Sequence, residues 1–333
     1  MNLKEKIKKL CQEKNAIILA HYYTRDEVQE IADFIGDSLA LAQKAANTDA
    51  DILLMCGVNF MAETCKILCP QKKVLIPNLS AGCSLADSCN AEELKVFKSQ
   101  HPDYKVVSYV NTTAEVKAES YICVTSGNAD KIIESFPKDE KLIFCPDRNL
   151  GSYLNQKTGR NMLLWDGGCH VHSRFSATAL ARLKEAYPDA IVMAHPECKA
   201  DILSQAHVIG STAAIINWLK GGGEQQGSGA AKQPTANKTF IIATEVGIFY
   251  ELKRRYPNYQ FIAVPSEASE CSLMNEGAKP MAENKVCCNE CEYMKLATLE
   301  NIYAALVSEQ PEIIVDANLS QQALKPIQRM LNI

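Results

Sequence analysis

The sequence has no run of about 18 apolar residues, the length that a membrane-spanning helix needs. Its first segment, 1–14, is a charged amphipathic pattern that lacks the apolar centre of a signal peptide. It also lacks a strongly basic segment, and its formal charge of -4 disfavours nonspecific nucleic-acid binding. We therefore expect a cytoplasmic protein that binds neither a membrane nor nucleic acid.

Two missing motifs exclude a P-loop nucleotide site and a four-cysteine zinc site. The segment 220–238 is rich in Gly, Gln, Ala and Ser, but it does not contain the G-x-x-x-x-G-K-[ST] pattern of a phosphate-binding P-loop. We expect a flexible surface insertion there, without a role in chemistry. The chain has one C-x-x-C motif, at Cys288 and Cys291, and no second one to complete a four-cysteine zinc site.

Cysteine and apolar residues, by contrast, are abundant. The chain has 14 cysteines in 333 residues, and 47% of its residues are apolar. The apolar share is typical of a packed globular protein, and the length predicts two or three domains of roughly 150 residues. In a large intracellular chain, so many cysteines indicate metal ligation or redox chemistry rather than disulfides. Most of them should still be buried, inert thiols.

An internal repeat organises the sequence. Three short apolar runs end at His21, Tyr109 and His195, and the steps between these residues are 109 - 21 = 88 and 195 - 109 = 86. A helical pattern, a buried strand running into a helix, and a further strand follow each run. The chain thus contains three copies of one unit.

Hydroxyl and thiol side chains keep the same period. Ser38, Ser126 and Thr212 open helical patterns, with steps of 126 - 38 = 88 and 212 - 126 = 86. Cys83 and Cys169 follow the fourth element of their copies, and 169 - 83 = 86. Recurrence at one position of the repeat favours a shared site over unrelated surface roles.

The alternation of strand runs with helix-length segments predicts an α/β fold with parallel strands. We expect three similar three-layer αβα units about a pseudo-threefold axis, with the active site at the centre, because ligands bind at the carboxyl ends of parallel strands. We place the units at 1–84, 85–171 and 172–299. Residues 300–333, with a strand-like segment at 311–316, should pack back on the first unit.

The thiols indicate an odd-numbered metal site. Cys83 and Cys169 supply one thiol each from matching loops, and a threefold arrangement would add one from the third unit. Three thiolates with an open position suit zinc, or a 4Fe-4S cluster in which one iron has no protein ligand. Such an iron is a Lewis acid that can bind a substrate oxygen. Periodicity alone selects Cys271 as the third thiol, because Cys271 follows the fourth strand of the third unit just as Cys83 and Cys169 follow the fourth strands of theirs.

Ten short motifs occur in a characteristic order along nearly the whole chain. They are AHYY, GDSLALA, AGCSLAD, SYVNT, VTSGNA, WDGGCHVHSRF, AHPEC, GSTAAI, ATEVGI and CEYMKLATLENIYAAL. Each motif alone is weak, but their joint order is highly specific, and by it the sequence resembles the quinolinate synthase family.

The resemblance implies a pseudo-threefold protein with one oxygen-sensitive 4Fe-4S cluster per chain. The implied reaction condenses iminoaspartate with dihydroxyacetone phosphate to quinolinate, releasing phosphate and water, on the route to NAD. Both partners are small molecules, and the first could be handed over by an aspartate oxidase or dehydrogenase. By the motif matches, the three cluster ligands are Cys83, Cys169 and Cys291, so the resemblance selects Cys291 over Cys271.

Polar residues at strand ends and helix starts are the remaining candidates. The implied substrates carry carboxylates and a phosphate, which helix N-termini and hydroxyls can bind, although helix capping is the alternative role for the hydroxyls. The predicted substrate-binding residues are His21, Ser38, Tyr109, Val110, Asn111, Ser126, His195, Pro196, Glu197, Ser211 and Thr212. The predicted catalytic residues are His21, Tyr23, Tyr109, His195 and Glu197.

His195 and Glu197 form the most specific acid–base candidate. They lie two residues apart on an extended segment, so their side chains share a face. Glu197 could orient and charge-stabilise His195, or act itself as a base, and such groups commonly accelerate proton transfer about 10²- to 10⁴-fold. The alternative is a salt link on the surface of a loop.

Two other protein classes remain open. An iron-sulfur redox sensor would need the cluster, but neither the anion-binding hydroxyls nor the His195–Glu197 pair, and would usually carry an output module. A zinc-dependent, aldolase-like lyase would keep the cavity and lose the iron. Visible absorption of anaerobically purified protein separates these classes, because a cluster is coloured and zinc is not.

Overall fold

The computed structural model describes residues 2–221, 238–267 and 289–333. Two compact bodies make up the chain: a larger one, Met1–Gly168 with Glu292–Ile333, and a smaller one, Cys169–Cys291. Almost all of the expected insertion at 220–238 lies outside the described residues, as do Cys271, Cys287 and Cys288.

The first sheet belongs to the larger body. Its strands are β1 (Ala16–His21), β2 (Phe34–Gly36), β3 (Ile52–Cys56) and β4 (Lys73–Leu75), and its helices are α1 (Leu3–Glu13), α2 (Asp26–Ile31), α3 (Ser38–Ala46), α4 (Asn59–Leu68), α5 (Ser84–Asp87) and α6 (Ala91–Gln100). All five residues of β3 are buried. Such a continuous apolar run is typical of a parallel strand that is covered on both faces.

The second sheet lies in the same body. Its strands are β5 (Lys105–Tyr109), β6 (Ile122–Val124), β7 (Leu142–Cys145) and β8 (Leu163–Leu164), with helices α7 (Ala114–Ala118), α8 (Ala129–Ser135) and α9 (Arg148–Thr158). Helix α9 ends at Gly159, whose φ of 68° is the left-handed conformation that glycine adopts without strain.

The third sheet forms the smaller body. Its strands are β9 (Ile191–Ala194), β10 (Val208–Ile209), β11 (Thr239–Ala243) and β12 (Gln260–Ala263), with helices α10 (Ala177–Ala186), α11 (Ala200–Leu203), α12 (Thr212–Leu219) and α13 (Ile248–Arg255). A single 3-10 turn, His172–Arg174, precedes α10.

All three sheets share one topology. Their strand orders are β2-β1-β3-β4, β6-β5-β7-β8 and β10-β9-β11-β12, so each has its first strand between the second and the third. Every pairing between named strands is parallel. The predicted α/β class with three similar units is therefore confirmed, while the arrangement of the units about an axis stays a prediction.

The C-terminal segment contacts both sheets of the larger body. Helix α14 (Leu299–Ser308) packs against α1, and helix α15 (Ala317–Leu331) packs against α7 and β6. The strand expected at 311–316 is reduced to an isolated antiparallel bridge between Leu75 and Glu312. Pro311 at its start has no N–H to donate to a ladder.

In the described part of the chain, every helix is too short or too polar to cross a membrane.

Candidate active site and metal centre

Strand β1 ends in a turn that fixes His21 and Tyr23. Both side chains are buried, their rings meet edge to face with centroids 4.5 Å apart, and the Tyr23 N–H donates to His21 Nδ1 at 3.2 Å. A neutral imidazole whose Nδ1 accepts a hydrogen bond carries its proton on Nε2. The ring can therefore act as a donor through Nε2. Lys295 Nζ donates to the Tyr23 carbonyl at 2.6 Å and holds the turn in place.

Strand β5 ends at Tyr109, followed by Val110 and Asn111. Tyr109 and Val110 are buried, and Asn111 is half-buried. Asn111 Oδ1 is itself inaccessible to solvent and accepts no hydrogen bond from the residues that the structure describes. Because buried acceptors normally have a partner, this oxygen is a candidate acceptor for a donor group of a ligand.

A buried lysine supports this turn. Lys117, in α7, is fully buried, and its Nζ donates to the Thr112 carbonyl while lying 5.5 Å from the centre of the Phe60 ring. Thr112 in turn donates through Oγ1 to the Tyr109 carbonyl at 3.1 Å. Burial lowers the pKa of Lys117, and Cys123, Glu63 and other neighbours oppose the shift. Sequence reasoning did not single out Lys117, since a lone lysine in a short helix gives no sign of being buried.

The four predicted hydroxyls occupy different positions at their helix starts. Ser38 is the first residue of α3, whose cap is Asp37, and Ser126 lies in the turn between β6 and α8. Ser211 does cap α12, because its hydroxyl accepts from the Ala214 N–H at 3.2 Å. Thr212 follows it and is buried. The capping alternative thus applies to Ser211.

Two of the predicted binding residues lie together in the larger body. Ser38 and Val110 line one small cavity, whose other walls are mainly apolar side chains from α3, β3 and α4. The structure therefore brings a hydroxyl at the start of α3 close to the residue that follows β5.

In the smaller body, Cys169, His172 and Glu197 converge. His172 Nδ1 lies 3.3 Å from Cys169 Sγ and 3.1 Å from Glu197 Oε2. One ligand atom from each of the three residues lies within 4.8 Å of the others, which is close enough to hold one metal ion. Our predicted sets omitted His172, although its position three residues after Cys169 was a usable signal.

His195 is buried beside this group. Its ring stacks on that of His172 with centroids 4.6 Å apart, and its Nδ1 accepts from the Glu197 N–H at 3.4 Å. Burial lowers its pKa to about 3, although the Glu197 carboxylate acts in the opposite direction. His195 is therefore neutral at physiological pH.

The predicted pairing of His195 with Glu197 needs refinement. His195 Nδ1 and Glu197 Oε1 are 3.7 Å apart, whereas the same carboxylate lies closer to His172. The side chains of His172, His195 and Glu197 are each no more than 4% exposed to solvent. The alternative of a salt link on the protein surface is therefore wrong. Pro196, between them, is also buried.

The cysteines divide by burial. Eleven lie among the described residues, and eight of these are buried. The remaining three, which are partly exposed, are Cys83, Cys169 and Cys291. Buried thiols such as Cys56 and Cys65 have their pKa raised well above the usual range by desolvation, which suits inert packing.

Polar side chains at strand ends, three parallel sheets and the Cys169–His172–Glu197 group are typical of an α/β enzyme with a candidate metal centre. The sequence pattern of the quinolinate synthetase A protein family matches residues 5–332. The chain is 49% identical over 325 residues to quinolinate synthase of Synechocystis, covering 98% of this chain and 93% of the relative. It is 45% identical over 333 residues to quinolinate synthase of Chloroherpeton thalassium, covering 100% and 95%.

The chain belongs to the quinolinate synthase family. The expected family, enzyme class and role in NAD biosynthesis are thereby confirmed.

Proposed function

We propose that this protein condenses iminoaspartate with dihydroxyacetone phosphate to form quinolinate, releasing phosphate and water, with a 4Fe-4S cluster bound to Cys83, Cys169 and Cys291. The observation that carries the proposal is the burial pattern of the cysteines. The three thiols chosen by motif are the three described cysteines that are not buried. A ligand thiol must be accessible to a metal, whereas a packing thiol need not be.

The residues around the thiols fit a metal centre. Cys169 Sγ has an imidazole and a carboxylate as near neighbours, through His172 and Glu197. Such groups orient thiolate ligands and accept protons near a bound metal. When bound, a cluster with three protein ligands supplies one Lewis-acidic iron for a substrate oxygen.

The chain's own residues would bind and orient the anionic substrates. Ser38, Ser126 and Thr212 lie at or near helix starts, where unpaired backbone N–H groups attract carboxylates and phosphates. Asn111 supplies a buried acceptor through Oδ1, which suits an N–H or hydroxyl of a substrate.

Proton transfer would fall to the strand-end residues. His21 and His195 would donate hydrogen bonds from Nε2, because each Nδ1 accepts from a backbone N–H. Glu197 is the strongest candidate for a general base in the smaller body, and its Oε2 lies 3.1 Å from His172 Nδ1. Tyr23 and Tyr109 would donate to substrate oxygens.

The wider assignment follows from the same reaction. We place the enzyme in the cytoplasm and expect iminoaspartate to arrive from an aspartate oxidase or dehydrogenase. Both substrates are small molecules, and we assign no membrane or nucleic-acid partner.

Anaerobic iron and sulfide counting on single Ser variants tests the ligand set. Cys83→Ser, Cys169→Ser and Cys291→Ser should each lose the cluster and the activity while the chain stays folded. Cys271→Ser is the matched control, since periodicity selects that residue instead. A Cys291→Ser variant with full iron content, beside a Cys271→Ser variant without iron, would show that the repeat was the better guide.

A zinc-dependent lyase is the second candidate, because Cys169, His172 and Glu197 offer the S, N and O ligands that zinc accepts. Metal analysis of the anaerobically purified active protein separates the two. Colourless protein with one zinc and no sulfide would replace the cluster by zinc.

A further inference from the structure

Two buried polar residues, Thr244 and Glu245, directly follow strand β11, and the proposed chemistry does not use them. Neither side chain is exposed to solvent. Buried polar groups of this kind are retained only with hydrogen-bond partners, so their partners indicate their role.

Thr244 is connected to one proposed cluster ligand through a histidine. Its Oγ1 lies 2.9 Å from His172 Nε2, and His172 Nδ1 lies 3.3 Å from Cys169 Sγ. The hydroxyl therefore fixes the plane of the imidazole and the nitrogen that faces the thiol.

Glu245 is connected to the other proposed ligand of the smaller body. Its Oε1 accepts from the Cys291 N–H at 3.2 Å, and its Oε2 accepts from the Gly247 N–H at 2.7 Å. The carboxylate thus ties the backbone of the thiol to the residue that precedes α13.

Asn289 strengthens the same attachment. It is fully buried, its Nδ2 donates to the Val264 carbonyl, and its own carbonyl accepts from the Val246 N–H at 3.3 Å. The segment 289–291 is therefore held near the ends of β11 and β12 by the Asn289 side chain, by the Val246–Asn289 backbone hydrogen bond and by the Glu245 carboxylate.

We propose that Thr244 and Glu245 are positioning residues that set Cys169 and Cys291 for cluster binding and so determine how firmly the cluster is held. The inference rests on the proposed function. Two adjacent residues at one strand end position both ligands, because Thr244 acts through His172 on Cys169 Sγ and Glu245 accepts from the Cys291 backbone N–H. Loss of either contact leaves one ligand less firmly positioned, and ordering it on metal binding costs conformational entropy.

The experiment measures cluster loss from the reconstituted, full-length protein. Anaerobic samples are mixed with excess iron chelator, and the decay of visible absorption gives a half-life. Replacing a group that orients a metal ligand typically weakens metal binding 10- to 100-fold, so we expect Glu245→Gln and Thr244→Val to shorten the half-life about 10- to 100-fold. Thr244→Ser keeps the hydroxyl, so its half-life should be close to that of the wild type.

Matched controls separate positioning from general loss of stability. Glu251→Gln removes another fully buried carboxylate of the same body, which contacts Arg254 and Arg255 rather than a thiol loop. Thr158→Val removes a buried hydroxyl that donates to the Leu154 carbonyl. Both should keep the wild-type half-life, and melting of the cluster-free proteins reports the fold of every variant.

The outcomes are distinct. In one outcome, the wild type carries a full cluster, and Glu245→Gln and Thr244→Val have the same half-lives as the controls. That result would overturn the positioning role but not the proposed function. A wild-type protein that binds no iron under anaerobic reconstitution would overturn the proposed function and this inference with it. If Glu245→Gln does not fold, the comparison of Thr244→Val with Thr244→Ser decides.

Discussion

The ends of β1 and β9 lie in different bodies of the chain, yet they form the same turn. In each, a buried histidine ends or follows the strand, and its Nδ1 accepts from the backbone N–H two residues later, at 3.2 Å in the first and 3.4 Å in the second. The residue at that later position differs, being Tyr23 in one and Glu197 in the other. The repeat thus preserves backbone geometry and the histidine tautomer, and varies the neighbouring functional group.

This difference assigns distinct chemistry to the two strand ends. Tyr23 places its aromatic ring against that of His21 and carries a weakly acidic hydroxyl. Glu197 presents a buried carboxylate that lies 3.1 Å from a second imidazole, that of His172. A carboxylate can remove a proton at neutral pH, whereas a phenol, whose pKa is ordinarily about 10, can only donate one. We therefore expect the β9 end to matter most for proton abstraction.

The largest effect should come from Glu197→Gln. The amide is nearly isosteric but cannot accept a proton, so turnover should fall about 10²- to 10⁴-fold, the usual range for a general base. The cluster should remain, since Glu197 is not one of its proposed ligands. Steady-state rates per cluster, with iron counted on the same sample, measure this. Near-normal turnover would reduce Glu197 to a structural role.

A smaller effect is expected at the matching position of β1. Tyr23→Phe removes only the hydroxyl, so one hydrogen bond to a substrate oxygen is lost, which corresponds to about a tenfold reduction in kcat/KM. The turn should persist, because the Tyr23 N–H still reaches His21. If Tyr23→Phe were as damaging as Glu197→Gln, the two strand ends would share the proton transfer and the assigned difference would be wrong.

The sequence allowed the repeat to be found because parallel strands between helix layers are recognisable apolar runs. Positions such as His21 and His195 were predictable, since a strand end recurs at the same place in each unit. Contacts between distant segments were not predictable. His172 and Thr244 are 72 residues apart in the chain. Neither a histidine nor a threonine in the sequence indicates which distant residue it contacts. The same holds for Lys117, whose burial depends on the packing of other helices around it.

The third prediction concerns the charge of His195. Its pKa is lowered to about 3 by burial, so the ring is charged only below that pH and stays neutral across the range of about pH 5 to 8 in which histidines usually titrate. His195→Gln keeps an N–H donor and should lower kcat/KM less than tenfold, without changing the shape of its pH profile in that range. A wild-type inflection near pH 6.5 that disappears in the variant would contradict this.

The smallest effect should come from a carboxylate that lies at neither strand end. Glu309 follows α14 and accepts hydrogen bonds from Lys14, at 2.6 Å, and Lys73. These contacts lower its pKa from 4.5 to about 2. Because the folded-state pKa lies below that of the unfolded chain, the stabilisation is complete above about pH 4.5 and is lost as the pH falls toward 2.

Glu309→Gln should therefore lower the melting temperature slightly at pH 7, and the difference from the wild type should shrink as the pH falls from about 5 toward 2. Turnover per cluster at pH 7 should be unchanged, because the contribution of Glu309 is structural and that of Glu197 is chemical. Melting curves across the pH range and one rate measurement suffice. A difference in melting temperature that stays constant down to pH 2 would mean that the ion pairs with Lys14 and Lys73 do not stabilise the fold.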